Sequence, residues 1–201
     1  MISTYIAVFI KVFFLLTPFF ALSMFLSYTA DYDKKRKQKT AIKTTLAVIV
    51  ITLLIYWYGE YLFKVLGITI DAFRIGAGTV LLLTAISLVN GPAGSSGTKK
   101  VADDAQDITV VPLALPTIVG PGTIGAMLVM GAEGGEIPMR IAISLGIVSA
   151  VCLLGVVLFA AEKLEQILKR NGIQILSKVT GLMLAALASQ CIFDGIKNFL
   201  K

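Results

Sequence analysis

Apolar residues gather into six long runs, at about 5–28, 43–63, 69–90, 108–131, 140–161 and 175–197, with short polar or glycine-rich stretches between them. Each run has roughly the 20 residues that a helix needs to cross a ~30 Å hydrocarbon layer. Lipid offers no partner to a backbone amide, so every run is predicted to be helical. The expected fold is all-α: one polytopic membrane domain over residues 1–201, with six transmembrane helices. Composition agrees, because 57% of the residues are hydrophobic and 15% charged, whereas soluble domains are near a quarter charged. MISTYIAVFI carries no basic residue, and no small-residue cleavage site precedes Asp31. The first run is therefore expected to be a retained span and not a cleaved signal.

Charge in the connections orients the spans. The first connection, DYDKKRKQKT, is densely basic; the third, NGPAGSSGTKK, is glycine- and serine-rich and turns acidic at Asp103, Asp104 and Asp107. Residues 91–107 are expected to form a flexible cytosolic linker, with Asp107 placed to cap the fourth helix. Connections 1, 3 and 5 carry twelve of the 18 Lys and Arg residues, the opposite side five, and Lys11 lies within the first run. The positive-inside rule puts the odd connections in the cytoplasm and both termini outside, in a bacterial-type inner membrane. The net charge of +6 thus reads as a topology signal, with anionic headgroups of the bilayer as a natural contact. No aromatic residues interleave with the basic run, which argues against a nucleic-acid partner. Tyr56, Trp57, Tyr58 and Tyr61 are expected to form an interfacial belt at the end of span 2.

Absences exclude whole classes of chemistry. The chain has no histidine and two cysteines, Cys152 and Cys191, both inside apolar runs and expected to be small buried side chains. No Ser/Lys or paired-Asp constellation lies at depth, so neither an enzyme, a metal nor a cofactor is expected. Lys11, Glu60, Arg74 and Asp194 fall near the outer ends of their spans, where snorkelling or mutual pairing would accommodate them.

The halves echo each other. Thr17-Pro18-Phe19-Phe20 matches Gly120-Pro121-Gly122-Thr123 at an offset of 103, while Gly67-Ile68 and Gly76 match Gly172-Ile173 and Gly181 at 105. Three crossings per half make the second copy enter from the opposite face. The prediction is an inverted repeat of residues 5–90 and 108–198, with a solute site between the copies. Span 4 holds Pro112, Pro116 and Pro121 besides Gly120, Gly122 and Gly125, and span 1 holds Pro18. Each proline removes a backbone donor, so both spans are expected to be broken helices, their freed ends facing a solute. The candidate substrate-binding residues are Thr17, Pro18, Pro116, Thr117, Gly120, Pro121, Gly122 and Thr123. Phe19 and Phe20 would narrow the first-half side, and glycine at 122 would allow close backbone approach.

The segments FRIGAGTVLLLTAISLV, VPLALPTIVGPGTIGAMLVMG and SKVTGLMLAALASQCIFDGI resemble the MarC family of bacterial and archaeal inner-membrane proteins. That resemblance implies six spans, kinship with lysine-exporter-like transporters and small neutral amino acids as cargo. It also implies that Pro18 belongs to a first-half signature, and that Pro116, Gly120, Pro121, Gly122 and Thr123 belong to a second-half one. Members of the family usually place Asp or Asn before the first proline and a small residue two after it, where this chain has Thr17 and Phe20. The expected function is transport of a small polar solute by alternating access. The alternative is a non-transporting regulatory or partner-binding membrane protein contacted through the 91–107 linker. A homo-oligomer is left open.

Overall fold

The computed structural model describes residues 2–90, 114, 118–133 and 135–200. All its regular elements are helices: α1 (Ile2–Leu15), α2 (Pro18–Tyr28), α3 (Lys34–Leu66), α4 (Ile70–Asn90), α5 (Pro121–Ala132), α6 (Ile137–Phe159) and α7 (Ala161–Phe199). Four of them, in α3, α4, α6 and α7, are long and apolar enough to cross a membrane; α1 and α2, bent by 42° at their junction, make a fifth span if taken together. The predicted span 4 enters this description mainly as α5, whose 12 residues are about 18 Å long and too short to cross alone. Pro112, Pro116, Thr117, Asp107 and the 91–107 linker lie outside the described residues.

Helix faces explain the packing. In α3, Ala41, Thr44, Val48, Thr52 and Tyr56 recur every three or four residues and are buried, while Ile42, Leu46, Val50 and Leu54 are exposed. An apolar exposed stripe opposite a buried stripe of small and hydroxyl residues suits lipid outside and helices inside. The buried hydroxyls stay satisfied by their own helix, as where Thr52 donates to the Val48 carbonyl at 2.7 Å. At the centre, α5 buries Gly122, Thr123 and every residue from Gly125 to Gly131. It packs against α3 and α4, α6 packs against α1 and α3, and α7 runs along α4 and touches α2.

Several element starts and contacts recur at one sequence spacing. Pro18 begins α2 and Pro121 begins α5, while Lys34 begins α3 and Ile137 begins α6, both 103 positions apart. The left-handed residue that follows α3 is Gly67, and its counterpart within α7 is Lys169, close to the same spacing. Helix contacts obey it too. A Cβ on Gly78 would lie 3.0 Å from the Ala188 carbonyl oxygen, and one on Gly181 would lie 3.1 Å from that of Ala85; shifting by 103 exchanges these two contacts. Gly76 has open space around it. At that spacing the contact partner position of Gly181 is Gly78, whereas the sequence letters align Gly76 with it.

Three further expectations change. The basic run is no loop, since α3 already begins at Lys34 and Lys37 pairs with Glu162 at 3.1 Å. Tyr56 leaves the aromatic belt and is 2% exposed, whereas Trp57, Tyr58 and Tyr61 remain outside. Cys152 is exposed.

Candidate solute site

The break in the first span follows from Pro18. Proline has no N–H for the carbonyl of Phe14, and the Thr17 amide takes that carbonyl instead, at 3.0 Å. Thr17 is thereby driven to φ 46, ψ 62, a left-handed conformation rare for a β-branched residue and worth about 1–3 kcal/mol of strain. The chain then restarts as α2 with Pro18 in the first turn, where its missing donor costs nothing. In an unbroken helix the Leu15 carbonyl would accept from residue 19. Here the Thr123 hydroxyl, from the other half, donates to it at 3.0 Å.

The second-half counterpart is built differently. The Val119 amide donates to the carbonyl of Ala114 at 2.9 Å, five residues back, a widened π-type turn. Gly120 is extended at φ −77, ψ 171, and Pro121 opens α5. The first-turn amides of an α-helix have no acceptor within it, so Phe19 and Phe20 in α2 and Gly122 and Thr123 in α5 start with free donors.

Both helix starts abut one cavity of about 250 Å³, lined in pairs 103 positions apart: Leu15 with Ile118, Thr17 with Gly120, Phe20 with Thr123, and Leu81 with Leu184. Thr84, Pro121 and Gly122 complete the wall. The cavity therefore lies between the starts of α2 and α5, against α4 and α7. Its volume holds roughly eight waters or one small solute. No described charged side chain lines it, so recognition falls to the backbone and hydroxyls. Two helix starts carry partial positive charge, roughly half a unit each, and suit a carboxylate. Thr84 donates its proton to the Val80 carbonyl and Thr123 donates its own to that of Leu15, so each hydroxyl oxygen keeps acceptor capacity, which an ammonium could use.

Of the eight predicted residues, Thr17, Gly120, Pro121, Gly122 and Thr123 come together on this wall. Pro18 is buried in the break without lining the cavity, and Pro116 and Thr117 lie outside the described residues. Close backbone approach at Gly122 is real, since a Cβ there would lie 2.9 Å from the Leu81 side chain. Sequence reasoning missed Leu15, Leu81, Thr84, Ile118 and Leu184. Only Thr84 left a signal, a hydroxyl in the middle of an apolar run; the others look like any lipid-facing leucine or isoleucine.

These features define a polytopic α-helical membrane protein with an internal cavity between two broken-helix elements. The chain belongs to the MarC family: the family described as MarC family integral membrane protein matches residues 2–200. It is 34% identical over 199 residues to a UPF0056 membrane protein of Methanocaldococcus jannaschii, covering 98% of this chain and 97% of the relative. It is 31% identical over 199 residues to the UPF0056 membrane protein YhcE of Escherichia coli, covering 96% and 92%. A UPF0056 membrane protein of Aquifex aeolicus is 28% identical over 201 residues, covering 98% and 94%. No solved structure matches the chain.

Proposed function

We propose that the protein is a transporter of a small polar solute, with small neutral amino acids as the leading cargo, working by alternating access between two inverted three-helix halves in an inner membrane. The observation that carries this reading is the cavity at the start of α2 and α5, whose lining pairs residues 103 positions apart. A site on the axis between two halves can open to either face when one half rocks against the other. Support for the repeat comes from contacts: exchanging the halves turns the packing of α5 on α3 and α4 into that of α1 and α2 on α6 and α7, and maps α4 with α7 onto itself. On this reading the second half also contributes three crossings, giving six, with the segment before Gly120 completing span 4. The orientation in the proposal rests on the basic residues, with the 29–33 turn in the cytoplasm and both termini outside.

Purified protein in liposomes preloaded with unlabelled alanine tests this. Counterflow of labelled alanine or glycine above that of empty liposomes is expected. No counterflow with any small neutral amino acid would leave the regulatory or partner-binding alternative in its place.

A further inference from the structure

A second cavity touches the first. It is lined by Lys11, Arg74, Glu133, Gln190 and Asp194, and it shares Leu15 and Leu81 with the central one. Its position is the face that carries the start of α4 and the end of α5. Ionisable groups within spans are costly and face water or partners when retained. Lys11 lies six residues before the break at Thr17, about 9 Å along α1, on the outer side of that break.

The charges are not all committed. Arg74 pairs with Asp71 at 3.2 Å on its own helix and with Glu133 at the end of α5, so its cation is answered by two carboxylates. Lys11 and Asp194 have no ion pair among the described residues, and both line the cavity. The positions 103 away carry no charged residue. Shifting by 103 replaces Lys11, Arg74, Glu133 and Gln190 with Ala114, Ser177, Ala30 and Ser87. A feature serving only helix packing would recur in both halves, as the Gly78 and Gly181 contacts do.

We infer that this charged cavity is an outer binding vestibule for a small zwitterion, in which Lys11 receives the carboxylate and Asp194 the ammonium before the solute passes Leu15 and Leu81 to the central cavity. The inference rests on the transport reading for the final step, but not for the binding itself. The cavity holds about 60 Å³, room for roughly two waters, which limits the zwitterion to glycine's size. The uncharged central cavity then needs to hold the solute only weakly, and the vestibule supplies discrimination against solutes lacking either charge.

Glycine is the probe. Equilibrium binding of labelled glycine to detergent-purified protein is measured alongside counterflow in liposomes, with helical content and gel-filtration profile checked for each variant. Lys11→Met and Asp194→Asn should each weaken glycine binding by about tenfold, the loss of one charge-assisted contact, while Lys11→Arg restores most of it. In counterflow the same variants should raise KM and leave the maximal rate within about twofold. Glycinamide, which lacks the carboxylate, should bind wild type and Lys11→Met equally. Wild-type glycine affinity and KM in both neutral variants would overturn the inference, as would absence of saturable glycine binding by the wild-type protein. If wild type binds glycine in a Lys11-dependent way but shows no counterflow, the vestibule stands and the transport reading fails.

Discussion

At the scale of single residues, the break between α1 and α2 is held by two side chains with opposite effects on stability. Thr123 satisfies the Leu15 carbonyl from across the interface. Its replacement by Val keeps the shape and leaves a buried acceptor bare, so it should destabilise the protein by about 1 kcal/mol. Thermal unfolding in detergent measures this, and Thr123→Ser should stay near wild type. Thr17 strains the chain instead, because a β-branched residue sits at φ 46 and makes no capping hydrogen bond with its side chain. Asn tolerates that region far better, so Thr17→Asn should raise stability by about 0.5–1 kcal/mol. On the transport reading the same change, which puts an amide at the start of α2, should strengthen amino-acid transport. A lower unfolding temperature for Thr17→Asn would mean that the hydroxyl, 5% exposed as it is, contributes more than the strain costs. None of this pairing was legible beforehand. Pro18 and Pro121 announced two breaks, but nothing in the string said that a hydroxyl from one would serve a carbonyl of the other.

Among the elements, long periodic runs were read well, because a run of twenty apolar residues has few fates apart from a spanning helix. Boundaries were read poorly where charge continues a helix past the membrane: α3 takes in Lys34 to Lys39, which look like a loop by composition alone. Glycine letters recur for separate reasons, as the left-handed cap at Gly67 and the close contact at Gly181 illustrate, and only packing tells them apart. Gly122 is of the second kind and gives a sharp test. A single added methyl meets both the side chain and the Cα of Leu81, at 2.9 and 3.1 Å. Gly122→Ala should therefore push α5 from α4, cost about 1–3 kcal/mol and cut the counterflow rate by narrowing the cavity. Leucine at this position would drive into the α4 backbone and harm folding as well, so alanine is the informative change. An alanine variant with wild-type counterflow would move the solute path away from the start of α5.

For the whole molecule, charge is distributed unevenly between the two ends of the helices. One face carries the dense cations of α3, and the other carries Arg74 with its carboxylate partners near the cavity mouth. The first pattern needs no precise geometry, since orientation depends on how many cations flank a span and not on where they point. Lys37 does pair with Glu162, but the two side chains are 18% and 37% exposed, and such a pair is worth about 0–1 kcal/mol. Lys37→Gln alone should thus leave both stability and orientation unchanged. Neutralising all five cations from Lys34 to Lys39 should instead give mixed orientation while every span stays helical. The measurement is labelling with an impermeant thiol reagent in a background without Cys152 and Cys191, using a single cysteine at position 31 in the turn before the altered run. In the otherwise unaltered protein this site should react only after the cells are opened. In the neutralised variant a fraction should react in intact cells, and far-ultraviolet circular dichroism should be unchanged. Labelling of the unaltered run from outside would invert the proposed topology, and it would put the charged vestibule on the cytosolic face.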